Sequence, residues 1–178
     1  MPKDPSVTKD YSIRAATADD VAAIETLHDR AFGPGRFART AYRVREGLPP
    51  YSDLCQVADA NGKILAAVRM APVLIGGMDR AQLLGPLAVE PSLRGLGIGK
   101  RVAAEAMVSA REAGIRLVLL VGDLPYYGRF GFNTAPHGRF DLGGPVNPAR
   151  LLYLELTAGG LADYAGAVQA DWVRASYR

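Results

Sequence analysis

The chain has 178 residues, 49% of them hydrophobic and 22% charged, with a formal net charge of +3. This is the composition of an ordinary soluble globule, expected as one domain and long enough to bury a core without disulfides or metal ions. The basic residues are scattered and no basic run interleaves aromatics, which argues against a nucleic-acid partner, and no apolar run nears the ~20 residues of a membrane span.

The N-terminal Met1-Pro2-Lys3-Asp4-Pro5 lacks the apolar stretch of a signal peptide, so a cytoplasmic protein is expected. Residues 1–10 read as a leader and Tyr11–Ala15 as a first strand. Thr17-Ala18-Asp19-Asp20 then reads as a helix start, a hydroxyl cap followed by acids in the first turn. Val21, Ile24, Leu27 and Ala31 recur at helical spacing until Gly33-Pro34 stops the run. His28, on the same helix, is read as a surface residue rather than an acceptor ligand. Phe37–Glu46 suits a short second helix, closed by Gly47 and Pro49-Pro50. Cys55 is the single cysteine, so no internal disulfide is possible; among Leu54, Gln56 and Val57 it reads as a buried strand residue, not a nucleophile.

Gln56–Ala60 and Ile64–Leu74 flank Asn61-Gly62, the strongest short hairpin signal. Gly76-Gly77-Met78-Asp79 turns again, and Gln82–Val89 forms the next strand. Gly99–Ala113 is expected as a helix with Val102, Ala106, Met107 and Ala110 on one face and Gly114 as its C-terminal stop. Arg116–Val121, almost wholly apolar, suits a strand buried on both faces. Pro125–Phe130 reads as a short helical turn, Arg150–Leu156 as a late strand, and 158–178 as a tail of weak helical character that packs on or extends a domain at 11–157. Antiparallel strands thus come first, and a strand–helix–strand unit then crosses over to make a parallel pair. The expected class is α/β, with a mixed, mostly antiparallel central sheet flanked by helices.

Candidate chemistry concentrates between Gly85 and Lys100. A strand ends there, and Arg94-Gly95-Leu96-Gly97-Ile98-Gly99-Lys100 opens a long helix. Alternating glycines and a helix N-terminus gather bare N–H groups, which is how a chain holds a pyrophosphate without a metal. A nucleoside-triphosphate loop would need glycine where Arg94 stands and Ser or Thr where Arg101 stands. A dinucleotide fingerprint would open the first unit of a repeated βαβ array, whereas this turn lies mid-chain after a hairpin.

The run Leu87-Ala88-Val89-Glu90-Pro91-Ser92-Leu93-Arg94-Gly95-Leu96-Gly97-Ile98-Gly99 resembles the acetyl-coenzyme A motif of the GCN5-related N-acetyltransferase (GNAT) family, whose Arg/Gln-x-x-Gly-x-Gly/Ala core is matched by Arg94, Gly97 and Gly99. Tyr127-Gly128-Arg129-Phe130-Gly131-Phe132 is similar to the family's Tyr-x-x-x-Gly-Phe signature after the next strand. The resemblance covers about two-thirds of the chain, from Tyr11 to Phe132.

That resemblance implies a sheet splayed between the strands at 82–89 and 116–121, with the backbone of Leu87, Ala88 and Val89 pairing to the pantetheine arm. It implies that the N–H groups of Gly95, Leu96, Gly97, Ile98, Gly99 and Lys100 hold the pyrophosphate, with Arg94 and Lys100 as charge partners. It also implies that Tyr127 is the general acid. The expected reaction is acetyl transfer from acetyl-CoA, without a metal, to a primary amine on a small molecule or protein, by direct attack in a ternary complex. A non-catalytic acyl-CoA-binding domain and a transferase of another acyl group stay open as alternatives, as do a monomer and a homodimer. Many family members carry a glutamate on the strand at 116–121; here Leu117-Val118-Leu119-Leu120-Val121 offers no acid. The base is left among Asp123, His28 and a water chain. Acceptor contacts are expected from 28–50, the hairpin tip and 133–150. Arg36, Arg39, Tyr42, Arg43, His137 and Arg139 lie there, and the arginines hint at an acceptor bearing a carboxylate.

Overall fold

Two tight turns set the central strands. In the computed structural model, which describes residues 10–35 and 39–176, Asn61 and Gly62 both lie at positive φ (52° and 87°), and Gly76 and Gly77 repeat the pattern (57° and 84°). Positive φ at both central residues is the two-residue turn whose twist matches that of the flanking strands. In chain order the elements are β1 (Ser12–Ala15), α1 (Val21–Phe32), α2 (Thr40–Val44), β2 (Gln56–Ala60), β3 (Lys63–Ile75), β4 (Met78–Val89), α3 (Ile98–Glu112), β5 (Leu117–Val121), α4 (Leu124–Tyr127), β6 (Asn133–Thr134), β7 (Phe140–Asp141), β8 (Leu151–Glu155), β9 (Gly166–Ala170) and α5 (Trp172–Ser176).

The strand order is β1-β2-β3-β4-β5-β8-β6, with β9 on β3 and β7 on β9. β1–β2, β2–β3, β3–β9, β5–β8 and β6–β8 are antiparallel. β4 and β5 are parallel, with Ala81, Gln82 and Leu83 facing Leu117, Val118 and Leu119. The short β7–β9 pair is also parallel. The sheet is therefore mixed and mostly antiparallel, with helices beside it. The parallel ladder stops after three pairs, although β4 runs on to Val89. Gly85 follows at φ 117°, and Pro86 has no N–H to give a ladder.

The described residues fall within two compact units. The first lies within Met1–Arg36, Pro50–Met70 and Pro86–Ser109. There α1 buries Ile24 and Leu27, and α3 buries Ile98, Val102, Ala103, Ala106 and Met107, the apolar stripe expected of a one-faced helix. Arg14 of β1 ties this unit together. Its guanidinium grips both carboxylate oxygens of Asp20 at 2.7 and 2.8 Å and reaches Asp59 of β2 at 2.9 Å. Asp20 also accepts the Thr17 N–H and hydroxyl at 2.8 and 3.0 Å. Cys55 is buried, as expected, and its Sγ accepts the Met70 N–H at 3.3 Å.

The second unit lies within Phe37–Pro49, Ala71–Gly85 and Ala110–Arg178. Its core gathers Val73, Ile75, Leu83, Leu117, Leu119, Phe140, Leu142 and Tyr164. Gly114, at φ 72°, closes α3, and the Ile115 N–H returns to Ala110 O at 3.0 Å.

Three expectations differ from the structure. His28 is buried, not at the surface: it lies four residues after Ile24 and next to Leu27, so it widens the apolar stripe, and its ring faces Phe32 at 6.2 Å. Residues 166–170 form β9, not weak helix, because the edges of β3 and β7 supply ladder partners. The second helix is confined to Thr40–Val44; the expected leader at 1–9, and Arg36, Phe37 and Ala38 of the second-helix region, lie outside the described residues. No described helix is long and apolar enough to cross a membrane.

Two predictions follow from these contacts. Hydrogen bonds from Arg14, then from Thr17, hold the Asp20 carboxyl down to about 2. Folding thus lowers its pKa, so the stabilisation is complete above the ordinary carboxylate range and is lost as pH falls through about 2. Asp20→Asn should cost roughly 2 kcal/mol at pH 7, with the difference from wild type shrinking toward zero near the acid end, measured by denaturant unfolding across pH. Gly76→Ala would place a Cβ 2.1 Å from the Ala165 carbonyl oxygen at φ +57°; it should lower Tm by about 4 °C or more in a thermal melt.

Candidate active site

The glycine turn is built by the first unit. β4 ends with the Glu90 N–H on Leu65 O at 2.8 Å. A 3-10 turn at Pro91–Leu93 follows, begun by proline at its first position. The turn is fastened to the end of α1: Arg30 pairs with Glu90 at 2.9 Å, and an Arg94 Nη donates to Ala31 O at 3.2 Å. A guanidinium on a C-terminal carbonyl also suits the negative end of the helix dipole.

Gly95 (φ 84°) and Gly97 (φ 82°) flank Leu96, whose own N–H is bonded to Leu93 O at 3.4 Å; glycines at positive φ ahead of a helix N-terminus are the backbone setting in which anions are bound. The Arg101 N–H is bonded to Gly97 O at 3.1 Å. Ile98, Gly99 and Lys100 precede it, and their N–H groups have no carbonyl of their own helix to reach. The first turn of α3 holds no acid. A Cβ added to Gly97 would meet nothing within 4 Å, so the space over the turn is open, as a phosphate group requires. Lys100 and Arg94 are exposed. Arg101 is turned to Tyr11, donating to its hydroxyl at 2.7 Å.

The tyrosine turn is built by the second unit. β5 is buried except at Val121, and Gly122 follows it. Asp123 then starts α4, its carbonyl accepting the N–H groups of Tyr126 and Tyr127, each at 3.0 Å. Gly131 at φ 92° ends the turn, which lets Phe132 go into the interior at 2% exposure. Tyr127 sits edge-on to Tyr126 (centroids 4.9 Å apart) and to Phe132 (6.0 Å). The Tyr-x-x-x-Gly-Phe wording is thus a packing unit: the glycine turns the chain and the phenylalanine holds the tyrosine ring. Burial pushes the Tyr127 phenol well above its ordinary value, with smaller upward contributions from Tyr126 and Asp123 and a downward one from Arg150.

The remaining candidates separate. Asp123 is exposed and pairs with Arg150 Nε at 3.0 Å, a surface contact worth little by itself. Arg139 is not free to meet an acceptor: its guanidinium donates to the carbonyls of Tyr164 (2.8 Å), Leu161 (2.5 Å) and Ala162 (3.2 Å), strapping the chain ahead of β9. His137 lies on a small cavity of about 130 Å³ with Pro136, Asp141 and Leu142. Arg39 and Arg43 are exposed, and Tyr42 stacks under the Arg45 guanidinium at 4.7 Å. Among the described residues no group of three or more His, Cys, Asp or Glu is placed to hold a metal ion.

The acetyltransferase (GNAT) domain matches residues 12–135, a span holding both the glycine turn and the tyrosine turn. The chain belongs to the GNAT family of N-acetyltransferases. YhbS of Escherichia coli K12, an uncharacterized N-acetyltransferase, is 32% identical over 127 residues, 70% of this chain and 75% of that one. A crystal structure of the GNAT family N-acetyltransferase YhbS from Escherichia coli, in complex with CoA, overlays with a TM-score of 0.77 at 26% identity, covering 100% of this chain and 98% of that one. A GNAT family acetyltransferase from Brucella melitensis, in complex with acetyl-CoA, gives a TM-score of 0.64 at 28% identity over 83% of this chain and 88% of that one.

Proposed function

We propose that this GNAT protein transfers the acetyl group of acetyl-CoA to a primary amine by direct attack within a ternary complex. One observation carries the reading: the turn at Gly95–Lys100 presents the first N–H groups of α3 beneath a space that Gly97 leaves open. The CoA and acetyl-CoA in the YhbS and Brucella structures support it.

In this proposal the N–H groups of Gly95 and of Gly97 to Lys100 bind the pyrophosphate, the Leu96 N–H being held by Leu93 O, and Arg94 and Lys100 add positive charge. Glycine at 95 and 97 serves twice, since it accepts positive φ and brings the backbone close to the anion. The backbone of Leu87, Ala88 and Val89 takes the pantetheine arm as an added strand. The short parallel ladder supports this, because it ends at Leu83 and leaves those residues outside it. A backbone N–H of the same stretch faces the thioester oxygen, where loss of such a donor costs about 10² to 10³ in rate.

Tyr127 supplies the proton for the leaving thiolate. A phenol is protonated throughout the neutral range at its ordinary value, and burial moves it further in the same direction, so it enters each cycle carrying its proton. The balance is simple: the C–N bond forms, the C–S bond breaks, the phenol proton goes to sulfur, and the proton shed by the amine passes to solvent, which restores the phenol. The arginines at 39 and 43 favour an acceptor bearing a carboxylate.

Acetyl-CoA should be turned over with at least one member of a panel of primary amines, read as free thiol and product mass; absence of CoA binding at millimolar concentration would overturn the proposal. Tyr127→Phe should lower kcat at least tenfold with little change in KM, and wild-type kcat should show no falling limb from this phenol below about pH 10. Activity of Tyr127→Phe within about twofold of wild type across pH would remove the general-acid role. Gly97→Ala should weaken CoA binding about tenfold or more in calorimetry while leaving acetyl-pantetheine, which lacks the pyrophosphate, nearly unaffected.

A further inference from the structure

Gly122 has an ordinary backbone conformation, since it is absent from the residues at positive φ. An alanine would meet no backbone strain there. The space its side chain would need is nevertheless taken. A Cβ on Gly122 would lie 2.5 Å from Tyr127 Cε2, 2.9 Å from Tyr127 Cδ2 and 2.9 Å from Leu120 Cδ1. Ordinary contact begins near 3.4 Å, so the ring edge beside the hydroxyl would have to retreat by nearly 1 Å.

Neither partner can yield freely. Gly122 is held by its N–H on Arg150 O at 2.9 Å, between the strand β5 and the α4 start at Asp123. The Tyr127 ring is boxed by Tyr126, Phe130 and Phe132, at centroid distances of 4.9, 6.4 and 6.0 Å. The Tyr127 N–H is fixed on Asp123 O at 3.0 Å. The ring is thus clamped between an aromatic cluster and a bare backbone.

We infer that Gly122 is a positioning residue for Tyr127: its missing side chain lets the ring lie on the backbone and so fixes where the phenol hydroxyl points. This rests on the proposed role of Tyr127 as the proton donor. A misplacement of about 1 Å can cost on the order of 10²-fold in rate.

The test is a double-mutant cycle between Gly122→Ala and Tyr127→Phe, read as thiol release from acetyl-CoA with hydroxylamine as acceptor. Gly122→Ala should lower kcat at least tenfold, leave KM for acetyl-CoA within about twofold, and add no further loss in the Tyr127→Phe background. Unchanged kcat, or the same fractional loss in both backgrounds, overturns the inference. Full activity of Tyr127→Phe overturns instead the donor role on which it rests. Thermal melts cover the case of a poorly folded Gly122→Ala protein. The alanine should depress Tm by less than half as much in a Tyr127→Ala background, where no ring opposes the Cβ. Equal depressions in both backgrounds overturn the inference.

Discussion

The break in β4 at Gly85-Pro86 is the constraint from which the site follows. The strand is twelve residues long, yet its parallel ladder to β5 holds only Ala81, Gln82 and Leu83. Two features end it. Gly85 sits at φ 117°, which tilts the backbone out of the pleat, and Pro86 contributes no N–H. The Arg45 guanidinium lies 3.7 Å from where a Gly85 side chain would begin, so the bend is packed as well as turned. Past the break, the strand stays fastened through Glu90 on Leu65 and through Arg30 on Glu90. This is the stretch whose backbone takes the pantetheine arm in the proposed function.

Glycine then does different work at different positions. At Gly95 and Gly97 the reason is torsional, and at Gly97 the space in front is open, which suits a group arriving from outside. At Gly122 torsion is ordinary and the space is filled by the chain's own Tyr127. At Gly76 both demands coincide, positive φ and a carbonyl oxygen in the place of a Cβ. The first kind makes the proposed binding surface, the second fixes a side chain in the inference drawn for Tyr127, and the third fixes a strand pair.

This difference also explains what was legible in the sequence. The Asn61-Gly62 hairpin, the β2 bounds, the apolar face of α3 and the alternating glycines were readable because each is a local pattern with a local cause. His28 was misread because its burial depends on what the first helix packs against, while its neighbours in sequence gave only a stripe edge. β9 was missed because Gly166-Ala167-Val168-Gln169-Ala170 has one large apolar residue, and its strand character comes from the edges it joins. Arg139 looked like an acceptor contact because a cation in a loop reads as exposed; three carbonyls ahead of β9 claim it instead. Gly122 gave a glycine at a strand end, but only the ring five residues later gives that glycine its reason.

The same packing bears on how the proposed transfer divides its two proton movements. Every residue from Leu117 to Leu120 is buried, so a carboxylate placed there would carry a large desolvation cost unless paired. β5 here is apolar throughout and packs into the core, so it carries no acid that could act as a base. The first acid after it, Asp123, faces solvent, pairs with Arg150 and starts the turn that carries Tyr127. The close packing falls on the proposed donor: an aromatic cluster and Gly122 hold the Tyr127 ring. The opposite movement, loss of a proton from the attacking ammonium, needs no fixed partner if the amine reaches the thioester already neutral. On that division the rate at neutral pH should follow the neutral fraction of the acceptor, so the ascending limb of the pH profile belongs to the amine while the phenol sets none of it.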